Sequence, residues 1–194
     1  MPGEMPAGRI RISMEHFQAM VQDRPDKEKW ELIDGLPILK AQPSLVHQRI
    51  SRNIETLLNA RLAEINSVWQ ADREIGVLLP NDERYCPVPD VTVIDAEVEL
   101  GQIYATRFYF VAEVLSPNDE LWMLELKTGY YQSHPGCLGV IFVRHDRIEA
   151  ELHVRNEGWT SRTLTARDDR IDIPVIGDIG RLEDFYRSTP LFTS

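Results

Sequence analysis

The periodicities along this chain predict an α/β (α+β) protein, a central sheet flanked by helices with a further helix and a hairpin ahead of it. Three observations carry this. Residues 108–115 are almost continuously apolar, as expected of a central strand covered on both faces. Residues 44–65 bring Leu45, Ile50, Ile54, Leu57, Leu58 and Leu62 to one side at helical spacing. Residues 148–154 alternate Ile148, Ala150, Leu152 and Val154 with Glu149, Glu151 and His153, the pattern of a half-exposed antiparallel strand.

The totals fit one domain. The 194 residues are 43% hydrophobic and 27% charged, enough for one sizeable core, with residues 1–12 as a loose tail and 13–194 as the folded unit. The net charge of −10 gives no basic footprint, and no run of Lys or Arg appears, so any contact with phosphates needs a local groove. An acidic chain without an apolar N-terminal stretch, or any apolar run near the roughly 20 residues of a membrane helix, is expected to be cytoplasmic. Cys86 and Cys137 form no zinc pattern and read as two reduced thiols.

Taken in order, Ser13 caps a helix with an apolar face of Phe17, Met20 and Val21, ending near Asp23. Asp34 and Gly35 are a strong turn signal between two apolar runs, hence a hairpin over 30–39. Glu31 lies in its first strand, where a glutamate is ordinarily solvated. Ser44 opens the long helix, and His47 in its first turn reads on residue type alone as a capping or packing residue. Short strands are predicted at 67–70 and 74–79, a turn at 80–84, a β-branched strand at 88–94 and a polar connection with helical character over 95–106. Ser116 and Pro117 stop the central strand. A helix follows over 120–132, with Asn118 or Asp119 as its cap, and places Lys127 and Tyr131 on one face. Strands at 138–143, 148–154, 159–164 and 171–173 and a last helix near 182–186 complete the chain.

Asp90 stands at the entrance of one β-run and Glu113 interrupts the most apolar one. A buried carboxylate needs a cation partner or a proton. Two carboxylates on pairing strands, with a main-chain carbonyl and waters, suit Mg²⁺, which acidifies a water and stabilises charge on a phosphate. A nearby ammonium can orient that water or steady the developing charge. Lys127 is singled out by composition: the chain has 17 arginines and four lysines, and after Lys40 it uses lysine once. A plainer arrangement would pair Glu113 with an arginine and leave Asp90 capping a turn.

These residues carry a resemblance. Pro89 and Asp90 followed by Ala112, Glu113 and Val114 resemble the PD-(D/E)XK nuclease superfamily. The string from Glu113 to Pro117, then Lys127 with Tyr131 four later, resembles its Uma branch of bacterial restriction endonucleases. So do the hairpin residues Trp30 to Gly35, His47 in the long helix, and Ile173, Pro174, Leu182 and Phe185, over roughly residues 13–187. The resemblance implies a restriction-endonuclease-like core with a mixed sheet, Asp90 and Glu113 as ligands of Mg²⁺ or Mn²⁺, and Lys127 as catalytic lysine. It makes Glu31 an added acidic residue by the metal, and His47 and Tyr131 possible auxiliaries. DNA is the implied substrate, and a homodimer suits cutting of both strands. The superfamily's usual lysine place, two after the glutamate, holds Leu115. The acidic residue expected four before the helix lysine is Met123, and the Trp-containing strand after the helix is 138–143, without a Trp.

Two functions from different classes follow: a metal-dependent phosphodiesterase acting on DNA, and a nuclease-fold binding or regulatory module that does not cleave. A carboxylate-pair enzyme using Asp90 and Glu113 as acid and base is a further alternative. The first expects Asp90 and Glu113 in one cavity, with Lys127 pointing in and Glu31 nearby. It also expects the metal-free carboxylates to repel one another, so that removing Asp90 relieves the site.

Overall fold

The computed structural model describes residues 10–25, 28–79, 82–117 and 119–193, so most of the expected tail, part of the 80–84 turn and Asn118 lie outside it. Helix α1 (Met14–Gln22) starts at Ser13, whose hydroxyl accepts the His16 N–H, and it buries Phe17. Strands β1 (Trp30–Ile33) and β2 (Leu36–Leu39) form the hairpin. Asp34 and Gly35 both have positive φ there, the two-residue turn that matches strand twist and for which a glycine is suited. Helix α2 (Leu45–Glu64) starts at Ser44, whose hydroxyl accepts the His47 N–H.

Strands β3 (Trp69–Asp72), β4 (Gly76–Val77), β5 (Val91–Asp95), β6 (Tyr104–Ala105) and β7 (Phe108–Leu115) lead to helix α3 (Leu121–Ser133). Beyond it come β8 (Gly139–Arg144), β9 (Ala150–Val154), β10 (Ser161–Leu164), β11 (Arg170–Ile173) and β12 (Gly177–Arg181), ending in a 3₁₀ turn at Leu182–Tyr186. Six strands form one sheet in the order β10-β9-β8-β7-β5-β3. Only β7 and β8 are parallel in it, joined through α3; the other neighbours are antiparallel. The sheet is therefore mixed, as the resemblance implies.

The two helices explain why 108–115 is almost continuously apolar. Phe110, Ala112 and Val114 pack with Ile50, Ile54 and Leu58 of α2 on one face. Phe108, Val111 and Leu115 pack with Tyr130 and Tyr131 of α3 on the other. A smaller cluster under the hairpin joins Phe17, Leu32 and Cys86. Cys86 and Cys137 form no disulfide, and burial pushes each thiol up to about 12.

Several expectations need correction. The strand placed at 67–70 lies at Trp69–Asp72. Asn59 of α2 brackets Ala71 there, its amide donating to the Ala71 carbonyl at 2.9 Å and accepting the Ala71 N–H at 2.8 Å, and so satisfies the outer backbone of an edge strand. The connection over 95–106 forms no helix; it carries β6, which pairs in parallel with β4. Asp119 does not cap α3. Its carboxylate instead accepts the Ser116 N–H at 2.6 Å, and α3 begins after Glu120 with no side-chain cap. Strand β12 has no periodic signal because glycines stand at 177 and 180, both with positive φ.

Candidate active site

Antiparallel pairing of β5 with β7 sets Val91 opposite Ala112, which brings Asp90 level with Glu113. Asp90 Oδ2 accepts the Val114 N–H at 2.8 Å. Glu113 lies on the α3 side of the sheet, where Lys127 and Tyr131, one turn apart, both reach it. Lys127 Nζ is 3.1 Å from Glu113 Oε1, and the Tyr131 hydroxyl donates to the same oxygen at 2.6 Å. The hairpin supplies two further groups. Glu31 Oε2 lies 2.8 Å from Lys127 Nζ and accepts the Val88 N–H at 3.3 Å. Lys40, just past β2, donates to the Val88 carbonyl at 2.7 Å and to Asp90 Oδ1 at 3.1 Å. From α2, His47 Nε2 lies 3.2 Å from Asp90 Oδ2. Among the described residues its Nδ1 is buried without a hydrogen-bond partner.

Each sequence-predicted residue is therefore in one cluster: Asp90, Glu113, Lys127 and Glu31, with His47 and Tyr131 touching the carboxylates. The expectation of both carboxylates and Lys127 in one cavity is met only in part: Asp90, with His47, lines a cleft, while Glu113, Lys127 and Glu31 are buried behind it and do not line it. Glu31 corrects the reading of a solvated strand residue. It is 2% exposed, held there by Lys127 from the opposite helix. Among the described residues Glu113 pairs with no arginine, and Asp90 caps no turn. Lys40 went unpredicted. The rarity of lysine points to it less sharply than to Lys127, since Lys27 and Lys29 stand in the same stretch.

Burial makes these charges interdependent. For Asp90, burial pushes the carboxyl up, but the Lys40 ammonium, His47 and the Val114 N–H outweigh it and hold the group well below the usual carboxylate range. For Lys127, burial pulls the ammonium down, and Glu113 and Glu31 more than restore it, so it stays protonated. Glu113 is pushed up by burial, which Lys127 only partly offsets. Tyr131 is raised by burial and then by Glu113, and remains a donor.

The donor chemistry suits a hard divalent cation. Among the described residues no group of three or more His, Cys, Asp or Glu is gathered as a cation site, so protein ligation would rest on the carboxylate pair with main-chain oxygen and water. Glu113 Oε2 and Glu31 Oε1 accept no hydrogen bond among those residues and are oxygens of the kind Mg²⁺ and Mn²⁺ take. Asp90, Lys40 and His47 open onto a cleft of about 740 Å³ that Lys29, Gln48 and Arg73 also line.

The chain falls under the model of the Uma2 family, described as "Putative restriction endonuclease", over residues 14–180. The protein belongs to that family. No curated protein matches it. Among solved structures, a "putative nuclease" from Anabaena variabilis ATCC 29413 superposes with a TM-score of 0.73 at 16% identity, covering 90% of this chain and 97% of that one. At that identity the likeness is one of fold, and it places the Uma2 chain among nuclease-like folds. In this Uma2 protein the superfamily's usual lysine place, Leu115, is 6% exposed and packed in the apolar cluster with Tyr131, and the ammonium reaches Glu113 from α3 instead. No helix among the described residues is long and apolar enough to cross a membrane.

The His47–Asp90 contact predicts a pH dependence. Burial lowers the imidazole, the Asp90 carboxylate more than offsets that, and the net shift is upward from 6.5. A raised pKa stabilises the fold fully below 6.5, and that contribution is lost as pH rises through the folded value. Asp90, lowered from 3.8, contributes above that pH and loses its contribution as pH falls through its own folded value. Metal-free protein is thus expected to melt highest between the two limits. His47→Gln should flatten the alkaline decline and soften the acid one, because His47 is also one of the groups holding Asp90 low; thermal melts from pH 3 to 9 would show both limbs unchanged if His47 carries no such linkage.

Proposed function

We propose that this Uma2 protein is a Mg²⁺- or Mn²⁺-dependent endonuclease that hydrolyses DNA phosphodiesters. One observation carries the reading: Asp90 and Glu113 stand side by side on paired strands, with Lys127 on Glu113 and a cleft opening at Asp90. Asp90 and Glu113 would hold the metal, with Glu31 adjoining. The bound ion supplies an acidified water and neutralises charge at the phosphate. Lys127, protonated at neutral pH and buried at 5% exposure, serves as fixed positive charge for the transition state and not as a base. Tyr131 and Glu31 hold that ammonium and the Glu113 carboxylate in one geometry. His47 orients Asp90 through Nε2. The phosphodiester backbone approaches through the cleft, where Lys29 and Arg73 are already paired with Glu74 and Glu55 and lend little net charge.

A supercoiled plasmid at low salt tests this. Nicking with Mn²⁺ or Mg²⁺ that stops with chelator is expected; DNA left intact with every divalent metal tried would sink it. The second reading is a nuclease-fold module that binds without cleaving. What favours it is that Lys40, Lys127 and His47 already compensate the carboxylates, in a chain of net charge −10. Homodimerisation and a cytoplasmic setting remain part of the proposal, because two sites in one particle can cut both strands.

A further inference from the structure

Both oxygens of Asp90 are occupied. Oδ2 accepts the Val114 N–H at 2.8 Å and faces His47 Nε2 at 3.2 Å, while Oδ1 accepts Lys40 Nζ at 3.1 Å. Oδ2 already carries two donors, so a cation on Asp90 would take Oδ1 beside the Lys40 ammonium, and like charges at that distance drive away whichever of the neighbouring donors is charged and mobile. The Val114 N–H belongs to β7 and is fixed by the sheet. His47 is fixed in the first turn of α2. Lys40 lies past β2 in the segment leading to Ser44; its backbone N–H is still held by the Lys29 carbonyl at 2.8 Å, but its ammonium sits at the end of a four-carbon stem that belongs to neither the sheet nor the helix.

Its surroundings allow movement. The Lys40 side chain is 20% exposed and lines the cleft, whereas Lys127 is 6% exposed and held between two carboxylates. The site therefore contains one anchored ammonium and one at its mouth. Charge leads to the same distinction. Glu31, Asp90 and Glu113 are offset by Lys40 and Lys127, and by His47 when it is protonated, leaving at most one excess negative charge. A divalent cation over-compensates that by at least one, and the ammonium nearest solvent is the one that can move away.

We propose that Lys40 is a displaceable counter-ion: it holds Asp90 Oδ1 until a divalent cation takes that oxygen, then turns into the cleft to meet a phosphate group. The inference rests on the metal-dependent reading above and assigns a positioning role that Lys127 does not have. A lysine suits it, being a compact ammonium on a flexible four-carbon stem. Competition for one oxygen has two consequences. Lys40 weakens metal binding, and metal binding frees a positive charge for phosphate, so metal and DNA each tighten the other's binding.

Calorimetric titration of Mn²⁺ into wild type, Lys40→Met, Lys40→Gln and Lys40→Arg separates the outcomes. Both neutral variants are expected to bind Mn²⁺ roughly tenfold tighter or more, the scale of removing a unit charge a few ångströms from a bound cation. Lys40→Arg, which keeps the charge, should bind as weakly as wild type. In a parallel titration with Mn²⁺ present, the neutral variants should bind duplex DNA more weakly than wild type. Lys40→Gln can still reach the Val88 carbonyl and guards against a misfolded methionine variant. Equal Mn²⁺ affinity in wild type and both neutral variants would overturn displacement and leave the metal reading standing. No Mn²⁺ uptake by any of the four proteins would overturn the metal reading and displacement with it.

Discussion

Lys127→Met is expected to slow DNA cleavage by roughly 10² to 10³, the scale of losing one positioned electrostatic donor. DNA affinity is expected to change little, because one ammonium among several phosphate contacts adds little to binding. The structure adds a second effect. Lys127 is the shared counter-ion of Glu31 and Glu113, at 2.8 and 3.1 Å. Removing it leaves two buried carboxylates facing each other, and breaking a buried pair costs about 3–5 kcal/mol. The variant should melt well below wild type, and Mn²⁺ should recover part of that loss by restoring positive charge. Plasmid nicking with Mn²⁺ at low salt, beside a DNA-binding titration and a melt, separates the effects. Low salt matters because a protein of net charge −10 repels DNA outside its cleft. If wild type binds DNA and neither protein cleaves across metals and substrates, the binding module replaces the enzyme.

Asp90, Glu113 and Lys127 were legible from strand pattern and composition, while Glu31 and His47 joined them only through the resemblance. Residues 108–115 advertised a central strand, and a glutamate inside such a strand had to be compensated. Lys127 and Tyr131 at one-turn spacing had to share a face, and both do meet Glu113. What stayed hidden depends on long-range packing. On local pattern Glu31 looks like any strand glutamate; the resemblance alone put it by the carboxylates, and its burial comes from the Lys127 ammonium reaching it from α3. Lys40 lies past the end of a short strand, and only the return of the chain to Val88 and Asp90 gives its ammonium partners. Strand β12 is held by pairing with β11 and has no alternation to read. The outer backbone of the edge strand β3 is likewise satisfied by Asn59 on α2, 12 residues earlier in the chain than Ala71. Metal, DNA and assembly state belong to chemistry outside the chain, and its own residues indicate them only through the charges left to be balanced.

Asp90→Asn is expected to abolish cleavage and any Mn²⁺-induced rise in melting temperature, since it removes one of the two carboxylates that would hold the ion. Its effect on the metal-free protein decides between two pictures of the site. If the carboxylates repelled one another unopposed, neutralising Asp90 would raise the melting temperature, as the sequence alone suggested. The structure reverses that sign. Asp90 is held by Lys40, His47 and the Val114 N–H, and its pKa lies well below the usual range, so the charged form is stabilised by folding. An asparagine oxygen can still accept the Val114 N–H, but its amide then confronts the Lys40 ammonium, which is left without its carboxylate. Breaking a partly buried pair of this kind costs about 3 kcal/mol, so Asp90→Asn should melt below wild type without metal. The deficit should shrink in the Asp90→Asn, Lys40→Met double variant, because the stranded ammonium is gone. Thermal melts of the single and double variants, each with and without millimolar Mn²⁺, check all three statements. A metal-free Asp90→Asn protein that melts above wild type would return the site to the repulsive picture, and a wild-type curve unmoved by Mn²⁺ would count against metal binding there.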